Sequence, residues 1–489
     1  MDKLAPILLA VPVPAEGSVD NAAYDTAVKT HVQKLSKLLK DQPGDVIAYG
    51  SKFLDLLDPS VHSLSYLAIL HTILIPGLAT SVSRDALLEK LVIFLLTFDP
   101  VQCRYVGSHL QDIFLLAGNG ELLPPSAAVE ALATAILRLD PTGSMLTTAH
   151  IYLARLAYNT NNVEPALQVI DKSIVFFPGM ANPTEPRYLC DVSLPPPAYI
   201  SRESGLTGIL KAPLVMEYDL LCGMMHCSRR EWAKAYVAFE RLVTFPTREG
   251  GVSKIMIEAY KKWVLVSLLS KGKLVETPSH AGVSANKFYG SLAKAYTTIA
   301  VLFVADDAKE LKSEVEKNAA VWLEDGNTGL VQEVLAAYQK WRVLGLERIY
   351  SKISLSEIRQ QTTSAETGEP LTKDEDVETL LQNMIISGML SGVIEKNDDG
   401  TTFLTFLSPS THLSEPDVAR ELATAATRLK QLQPLFKATR DRLGTSKEYI
   451  KHVVKEEKRT VEKGEADPSH AFDTHVDDED LMGGVIATG

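Results

Sequence analysis

The sequence predicts a mainly α-helical protein with an N-terminal helical-repeat solenoid, a winged-helix domain and C-terminal helices. Helix-type hydrophobic patterning begins near Ala22 and continues past residue 340, with almost no alternating strand pattern. One lone hairpin signal follows, and a heptad seam follows the hairpin. A chain of 489 residues is too long for one compact core, so we expect roughly two to four domains or a repeat array.

Two segments, 150–178 and 218–246, have the pattern of TPR-like helix pairs. Each has an apolar first helix, a polar turn, a second helix that opens near Ala166 or Ala235, and a closing Phe-Pro. A helix pair cannot bury its apolar face without neighbours, so the pairs are expected to stack into a solenoid.

The segment 182–213 is long and rich in proline. Two interpretations stay open for it: a linker between domains, or an ordered excursion packed across the helices, since it contains Tyr188, Leu189 and Tyr199.

The stretch 254–274 predicts a helix that is apolar around most of its circumference. Such a helix is buried against several neighbours, and Gly272 provides its C-terminal stop. The residues predicted to form its one solvated face are Lys254, Glu258, Lys261 and Lys262.

Helix signals precede the hairpin in the order that a winged helix requires. A helix over 329–350 is followed by two capping boxes, Ser354 to Glu357 and Thr372 to Glu375. The faces predicted to point inward are Leu330, Val334, Ala337 and Trp341 on the first helix and Val377, Leu380, Leu381, Met384 and Ile385 on the third.

The hairpin consists of two short β-type runs joined by Asn-Asp-Asp-Gly at 397–400, a sequence that tolerates positive φ and closes hairpins. The runs are Gly392 to Lys396 and Thr401 to Leu407, and they predict the wing of the domain. The second run has apolar residues on both faces, so one face and the strand edge are free to pair with a neighbour's strand. The predicted subunit-interface residues here are Thr402, Phe403, Leu404 and Phe406. The alternative is a capped structural subdomain.

A winged helix often reads DNA through its third helix. Here that helix begins with Asp374, Glu375, Asp376 and Glu378 against a single Lys373, which would be repelled by phosphates. The net charge is −12, and seven acidic residues follow the last basic residue, Lys463. No local basic patch is visible in the sequence, so nucleic acid is not expected as a partner.

A heptad seam follows the wing, over 414–436. A narrow apolar seam outside a finished domain favours a partner helix; the alternative is a helix that folds back on its own chain. Pro434 interrupts the seam, and a charged helix over 446–463 and a disordered acidic tail are expected to follow. The seam consists of Val418, Leu422, Ala425, Leu429, Leu432 and Phe436.

Cysteine and hydropathy patterns favour a soluble intracellular protein with no membrane partner. The four cysteines are too few and too scattered for a disulfide scaffold, and no targeting or membrane-length apolar segment is visible. Cys222, His226 and Cys227 have a conceivable metal-ligand spacing, but buried thiols in a helical core are the preferred interpretation.

We find no complete catalytic motif in the sequence. No two histidines lie closer than five positions, and there is no P-loop, nucleophile elbow or dinucleotide-binding fingerprint. We therefore predict a protein that is not an enzyme, with no catalytic residues, no metal and no cofactor.

Helical repeats that run into a winged helix resemble the PCI module found in subunits of the proteasome lid, the COP-9 signalosome and one translation initiation factor. The stretches 218–246, 253–274, 54–70 and 327–358 are most similar to the signalosome subunit 3 family, and the likeness runs from about residue 50 to 407. The proline-rich segment and the acidic tail are not features that we expect of this family.

The resemblance implies a noncatalytic scaffold within the assembly that removes the ubiquitin-like modifier NEDD from cullin–RING ubiquitin ligases. It implies a hetero-oligomer with PCI and metalloprotease-type subunits, indirect contact with cullin–RING ligases, and a location in the cytoplasm and nucleus. Two alternatives stay open: a PCI scaffold of the proteasome lid, and a winged-helix nucleic-acid binder. The predicted domains are a helical-repeat arm (1–210), the helical-repeat part of a PCI module (211–330), its winged-helix part (331–407), C-terminal bundle helices (414–460) and a disordered acidic tail (461–489).

Overall fold

The computed structural model describes residues 4–10, 12, 21–74, 84–178, 186–246, 251–278, 282–397, 400–407, 415–444 and 446–462. The chain divides into two units, residues 1–412 and 413–489. The mainly helical fold class is confirmed. Within the described ranges, no helix combines the length and the apolar character needed to cross a bilayer.

The N-terminal part of the first unit is a stack of helices around one large core. Helical structure begins before Ala22, because Leu4 and Leu8 are buried and the Ser65 hydroxyl donates a hydrogen bond to the Leu8 carbonyl at 2.8 Å. The helices are α1 (Ala5–Leu9), α2 (Asn21–Asp41), α3 (Pro43–Leu56), α4 (Ser63–Leu74), α5 (Arg84–Thr97), α6 (Pro100–Cys103), α7 (Gly107–Gly118), α8 (Pro125–Leu139), α9 (Thr148–Asn159), α10 (Leu167–Ile170) and α11 (Pro196–Tyr199).

The first expected TPR-like pair is incomplete. Helix α9 forms, but its partner is reduced to a 3₁₀ turn, Glu164–Ala166, and the four residues of α10. After α10 the chain becomes extended, and Phe176 pairs in parallel with Met145. The backbone amides of Val175 and Phe176 both donate to the Ser144 carbonyl. This long-range pairing replaces the rest of the expected second helix.

The second expected pair forms as a helical hairpin, α12 (Ala212–Ser228) and α13 (Trp232–Val243). Arg230, in the polar turn, has a φ of +56°. Gly223 of α12 lies against the Phe239 ring of α13, so closely that a Cβ there would come within 2.5 Å of the ring. Contact at this distance requires glycine.

The described part of the proline-rich segment packs across the helices. The Arg104 guanidinium lies 3.7 Å from the centre of the Tyr199 ring and donates to the carbonyls of Leu189 and Asp191, each at 2.9 Å. The Tyr199 hydroxyl donates to the Leu139 carbonyl at 2.9 Å. Of the two interpretations, the ordered excursion is therefore the one that the structure supports.

The second core is built around α14 (Lys254–Lys271), which is buried nearly all round as predicted. Gly272 ends it with φ +69°, also as predicted. The placement of Lys262 on a solvated face is wrong: its side chain is buried, pairs with Glu258 and donates to Asn327 Oδ1 at 2.8 Å. The surrounding helices are α15 (Val283–Leu292), α16 (Lys294–Val304), α17 (Ala308–Lys317), α18 (Ala319–Glu324) and α19 (Thr328–Leu346).

The third core is the predicted winged helix. The Ser354 capping box is confirmed, since the Ser354 hydroxyl accepts from the Glu357 amide at 3.2 Å. The second capping box is wrong, because Lys373 occupies the N-cap position and makes no side-chain cap bond. The elements are β1 (Lys352–Ser354), α20 (Leu355–Gln361), α21 (Asp374–Ile386), β2 (Gly392–Lys396) and β3 (Thr402–Phe406). The domain boundaries themselves stay a prediction.

The second unit contains two described helices, α22 (Glu415–Gly444) and α23 (Lys447–Glu462). Pro434 lies inside α22, and the helix continues beyond it to Gly444. Most of the predicted acidic tail, from residue 463 onward, lies outside the described residues.

Candidate subunit-docking surfaces

The wing belongs to a three-stranded antiparallel sheet in the order β1–β3–β2. Leu404 of β3 lies opposite Ile353 of β1 on one side and Ile394 of β2 on the other. The expected free edge at β3 is therefore wrong, because this strand is paired on both sides along Phe403–Thr405. The sequence interpretation missed β1, whose three residues are too few to produce a periodic signal.

The two faces of β3 have different roles. Leu404 is 0% and Phe406 9% exposed, and both lie in the core of the winged helix. Their assignment to a subunit interface is wrong, because these side chains hold the sheet against α20 and α21. Phe403 and Thr402 are half-buried, and the Phe403 ring lies 5.0 Å from Lys352 Nζ; their place in an interface stays a prediction.

The unpaired edge that adjoins the wing belongs to β2. The Leu407 backbone amide donates to the Ser391 carbonyl, and the Asn397 backbone amide donates to the Thr401 carbonyl. Because antiparallel pairs alternate along a ladder, Val393 and Glu395 also face β3, while Gly392, Ile394 and Lys396 direct their backbone groups outward. No strand of the described residues covers that edge, so it presents donors and acceptors to an added strand.

The third helix of the winged helix is unsuited to a DNA groove. Asp374, Glu375 and Asp376 are exposed in the first turn of α21. The Arg359 guanidinium lies 3.1 Å from a carboxylate oxygen of Asp374, and so one nearby cation is already paired. A phosphate backbone would meet like charge at this helix.

The heptad seam of α22 is exposed along its length. Leu422 is 65%, Leu429 69% and Phe436 67% exposed, although α23 contacts α22. Within the second unit, then, α23 does not cover the seam. Exposed leucines at heptad spacing favour a partner helix. The seam residues Val418, Leu422, Leu429, Leu432 and Phe436 stay predicted interface residues.

One group of polar side chains has the proximity of a metal site. Asp171, His226 and Glu231 bring one ligand atom each within 4.8 Å of one another. However, Lys234 Nζ already lies 2.7 Å from Asp171 and 3.1 Å from Glu231. His226 Nδ1 is 3.0 Å from Glu231, and burial lowers the pKa of His226 despite both carboxylates. Lys234 thus already pairs with both carboxylates of the group.

The cysteine pair near His226 does not join this group. The Cys222 thiol is buried, and burial raises its pKa well above the ordinary range. Burial raises the pKa of Cys227 to about 12. Protonated, buried thiols are poor metal ligands, which fits the packing role that the sequence favoured.

Comparison with known proteins bears on the whole chain. A family model described as COP9 signalosome complex subunit 3, N-terminal helical repeats, matches residues 26–190 and 198–283. The chain is 40% identical over 499 residues to COP9 signalosome complex subunit 3 of Neurospora crassa, covering 100% of both chains. It is 30% identical over 450 residues to the protein of the same name from Emericella nidulans, covering 88% of this chain and 89% of the relative.

The comparisons correct one expectation about the proline-rich segment in part. The family model continues to residue 190 and resumes at residue 198. The flanks of the segment, 182–190 and 198–213, are therefore shared with the family, whereas the unmatched residues 191–197 contain Pro195, Pro196 and Pro197.

Proposed function

Because this chain belongs to the COP9 signalosome complex subunit 3 family, we propose that it is a noncatalytic scaffold subunit of that complex. The proposal rests above all on the 40% identity to the Neurospora crassa protein, which extends over the full length of both chains. Membership of a named complex makes the chain one part of a hetero-oligomer. The proteasome-lid alternative is not favoured, since both relatives carry the signalosome name.

The proposed contribution of this chain is positional. The complex removes NEDD from cullin–RING ubiquitin ligases, and its catalytic metal is assigned to a different, metalloprotease-type subunit. In this chain the outward edge of β2 would pair with a strand of a neighbouring PCI subunit. The α22 seam would lock into a bundle formed with helices of other subunits. Cullin–RING ligases would be reached indirectly.

Several features support this division of labour. The acidic start of α21 argues against the nucleic-acid alternative. Lys234 already pairs with both carboxylates of the Asp171–His226–Glu231 group, and the proposal assigns no metal, cofactor or catalytic residue to this chain. A deneddylation complex acts on cullins, and we place the protein in the cytoplasm and the nucleus on that basis.

Cullin modification in cells tests the proposal. Removing the chain from its native cells should raise the fraction of cullin that carries NEDD, measured by immunoblot, and returning the full chain should restore it. A chain with Leu422, Leu429 and Leu432 replaced by Gln should not restore it. An unchanged cullin pattern in cells without the chain would overturn the proposed function.

A further inference from the structure

A basic groove lies where the C-terminal ends of α14 and α16 meet the second half of α19, and it has a volume of about 320 Å³. Its ten lining residues include four cations and no acid. The sequence showed no basic patch, because these cations come from two segments that are far apart along the chain. The lining is Lys271, Gly272, Lys273, Phe303, Val304, Trp341, Arg342, Leu344, Gly345 and Arg348.

Two of the cations are held by the fold. Arg342 donates to the carbonyls of Phe303 and Val304 at the end of α16, at 3.3 and 3.0 Å. The carboxylate nearest to it is that of Asp306, 3.8 Å away and 91% exposed. Lys271 Nζ lies 5.6 Å from the centre of the Tyr236 ring. Helix C-termini favour nearby cations, which accounts for Arg342.

The other two cations are available to a ligand. Lys273 and Arg348 are exposed, and each lies just beyond the end of its helix, α14 or α19. Neither pairs with a carboxylate among the residues that the structure describes. The chain has a net charge of −12, whereas the groove is lined by four cations and no acid, so the groove has the opposite sign to the molecule as a whole.

We propose that this groove is a docking site for an acidic peptide segment of a partner protein, in which an apolar side chain is flanked by Asp or Glu. The carboxylates would pair with Lys273 and Arg348, and the apolar side chain would contact Trp341, Val304 and Leu344. A nucleic acid fits less well, because a long phosphate backbone would extend beyond the groove and meet the net negative charge of the chain, whereas a short peptide segment would stay within the groove. The groove shares no residue with β2 or α22, and so this site is additional to the surfaces of the proposed function.

Fluorescence anisotropy with the full chain tests the groove. The probe is a fluorescein-labelled peptide, EEDLFEE, compared with its lysine analogue KKKLFKK and with labelled oligothymidylate. The wild-type chain should bind the acidic peptide, and raising ionic strength from about 0.05 M to about 0.5 M should weaken binding. Lys273→Glu together with Arg348→Glu should weaken binding by about tenfold or more, since two attractions become repulsions.

Lys287→Glu together with Lys294→Glu is the matched control. It changes the net charge equally, both lysines are exposed, and Lys294 begins α16 at the end away from the groove. This control should change binding by less than about twofold, because neither lysine lines the groove and salt screens charges beyond roughly 10 Å. Thermal melting of each variant establishes that it is folded. No binding of the acidic peptide, equal losses in the two double variants, or tighter binding of oligothymidylate through Lys273 and Arg348 would each overturn the proposal.

Discussion

Ile353 and Leu404 are direct cross-strand partners in the winged-helix sheet, and both side chains are almost completely buried. This pairing makes β3 the middle strand. The open edge beside the wing therefore belongs to β2 and not to β3. The sequence had assigned both core packing and subunit docking to β3. The inward face of β3 stabilises the domain, whereas the strand pairing that we propose with a neighbouring subunit would use β2.

Replacing Leu404 with Ala should destabilise the winged helix by about 2–5 kcal/mol, because a fully buried leucine leaves a cavity. Urea unfolding of the full chain, followed by circular dichroism, measures this change. Phe403→Ala is the control: its ring lies half-buried on the opposite face, so the loss should be smaller. Equal losses at the two positions would contradict the assigned faces.

Lys396→Pro should weaken association with one neighbouring subunit. The Lys396 amide points away from β3, so proline removes a donor from the open edge and leaves the β2–β3 ladder intact. Lys396→Ala keeps that donor and should associate normally. Co-purification with the other subunits, quantified for both variants, checks the prediction. Normal association of the proline variant would show that this edge is not used.

Replacing Leu422, Leu429 and Leu432 with Gln should release the chain from its complex. These side chains are exposed in the second unit, and burying each against partner helices contributes roughly 1.5–3 kcal/mol. The control exchanges Thr424 and Thr427 for Gln on the face that lies about 200° around α22. Size-exclusion chromatography of the reconstituted complex separates bound from free chain. If the leucine variant still assembles, the seam is not an interface.

His150 should make the stability of the first core depend on pH. Burial lowers its pKa from 6.5 to about 4. As pH falls below about 6.5, His150 binds a proton in the unfolded chain but stays neutral in the folded chain. Protonation of His150 therefore favours unfolding. The stabilisation present above pH 6.5 is thus lost progressively down to about pH 4, by about 3 kcal/mol in all.

His150→Gln tests this linkage. His150 Nδ1 accepts from the Thr147 backbone amide at 3.2 Å, and glutamine at the same helix position can also accept that bond. Urea midpoints at pH 7 and pH 5 should differ less for the variant than for the wild-type chain. The same pH dependence in both proteins would mean that His150 does not contribute.

Local signals explain most of what could be predicted from the sequence. The Ser354 capping box, the stop at Gly272 and the hairpin strands depend on neighbouring residues, and each is confirmed. Hydrophobic periodicity also identified α14 and the helical hairpin of α12 and α13.

Apart from the second capping box, a local signal that failed at Lys373, the failures below involve partners that are distant in sequence. Lys262 can be buried because its ammonium group donates a hydrogen bond to Asn327. The helix that follows α9 is short because residues 175 and 176 pair with residues 144 and 145. Likewise, β1 is recognised as a strand only when β3 lies beside it. A periodic pattern indicates which face of a helix or strand is apolar. It does not indicate which distant polar group will contact a polar side chain of that element.

The docking role is tested most directly by purifying the tagged full chain from its native cells and identifying the bound proteins by mass spectrometry. The account predicts the other signalosome subunits, including a metalloprotease-type subunit, together with cullins. Recovery of proteasome lid and base subunits, or of the chain without partners, would contradict it.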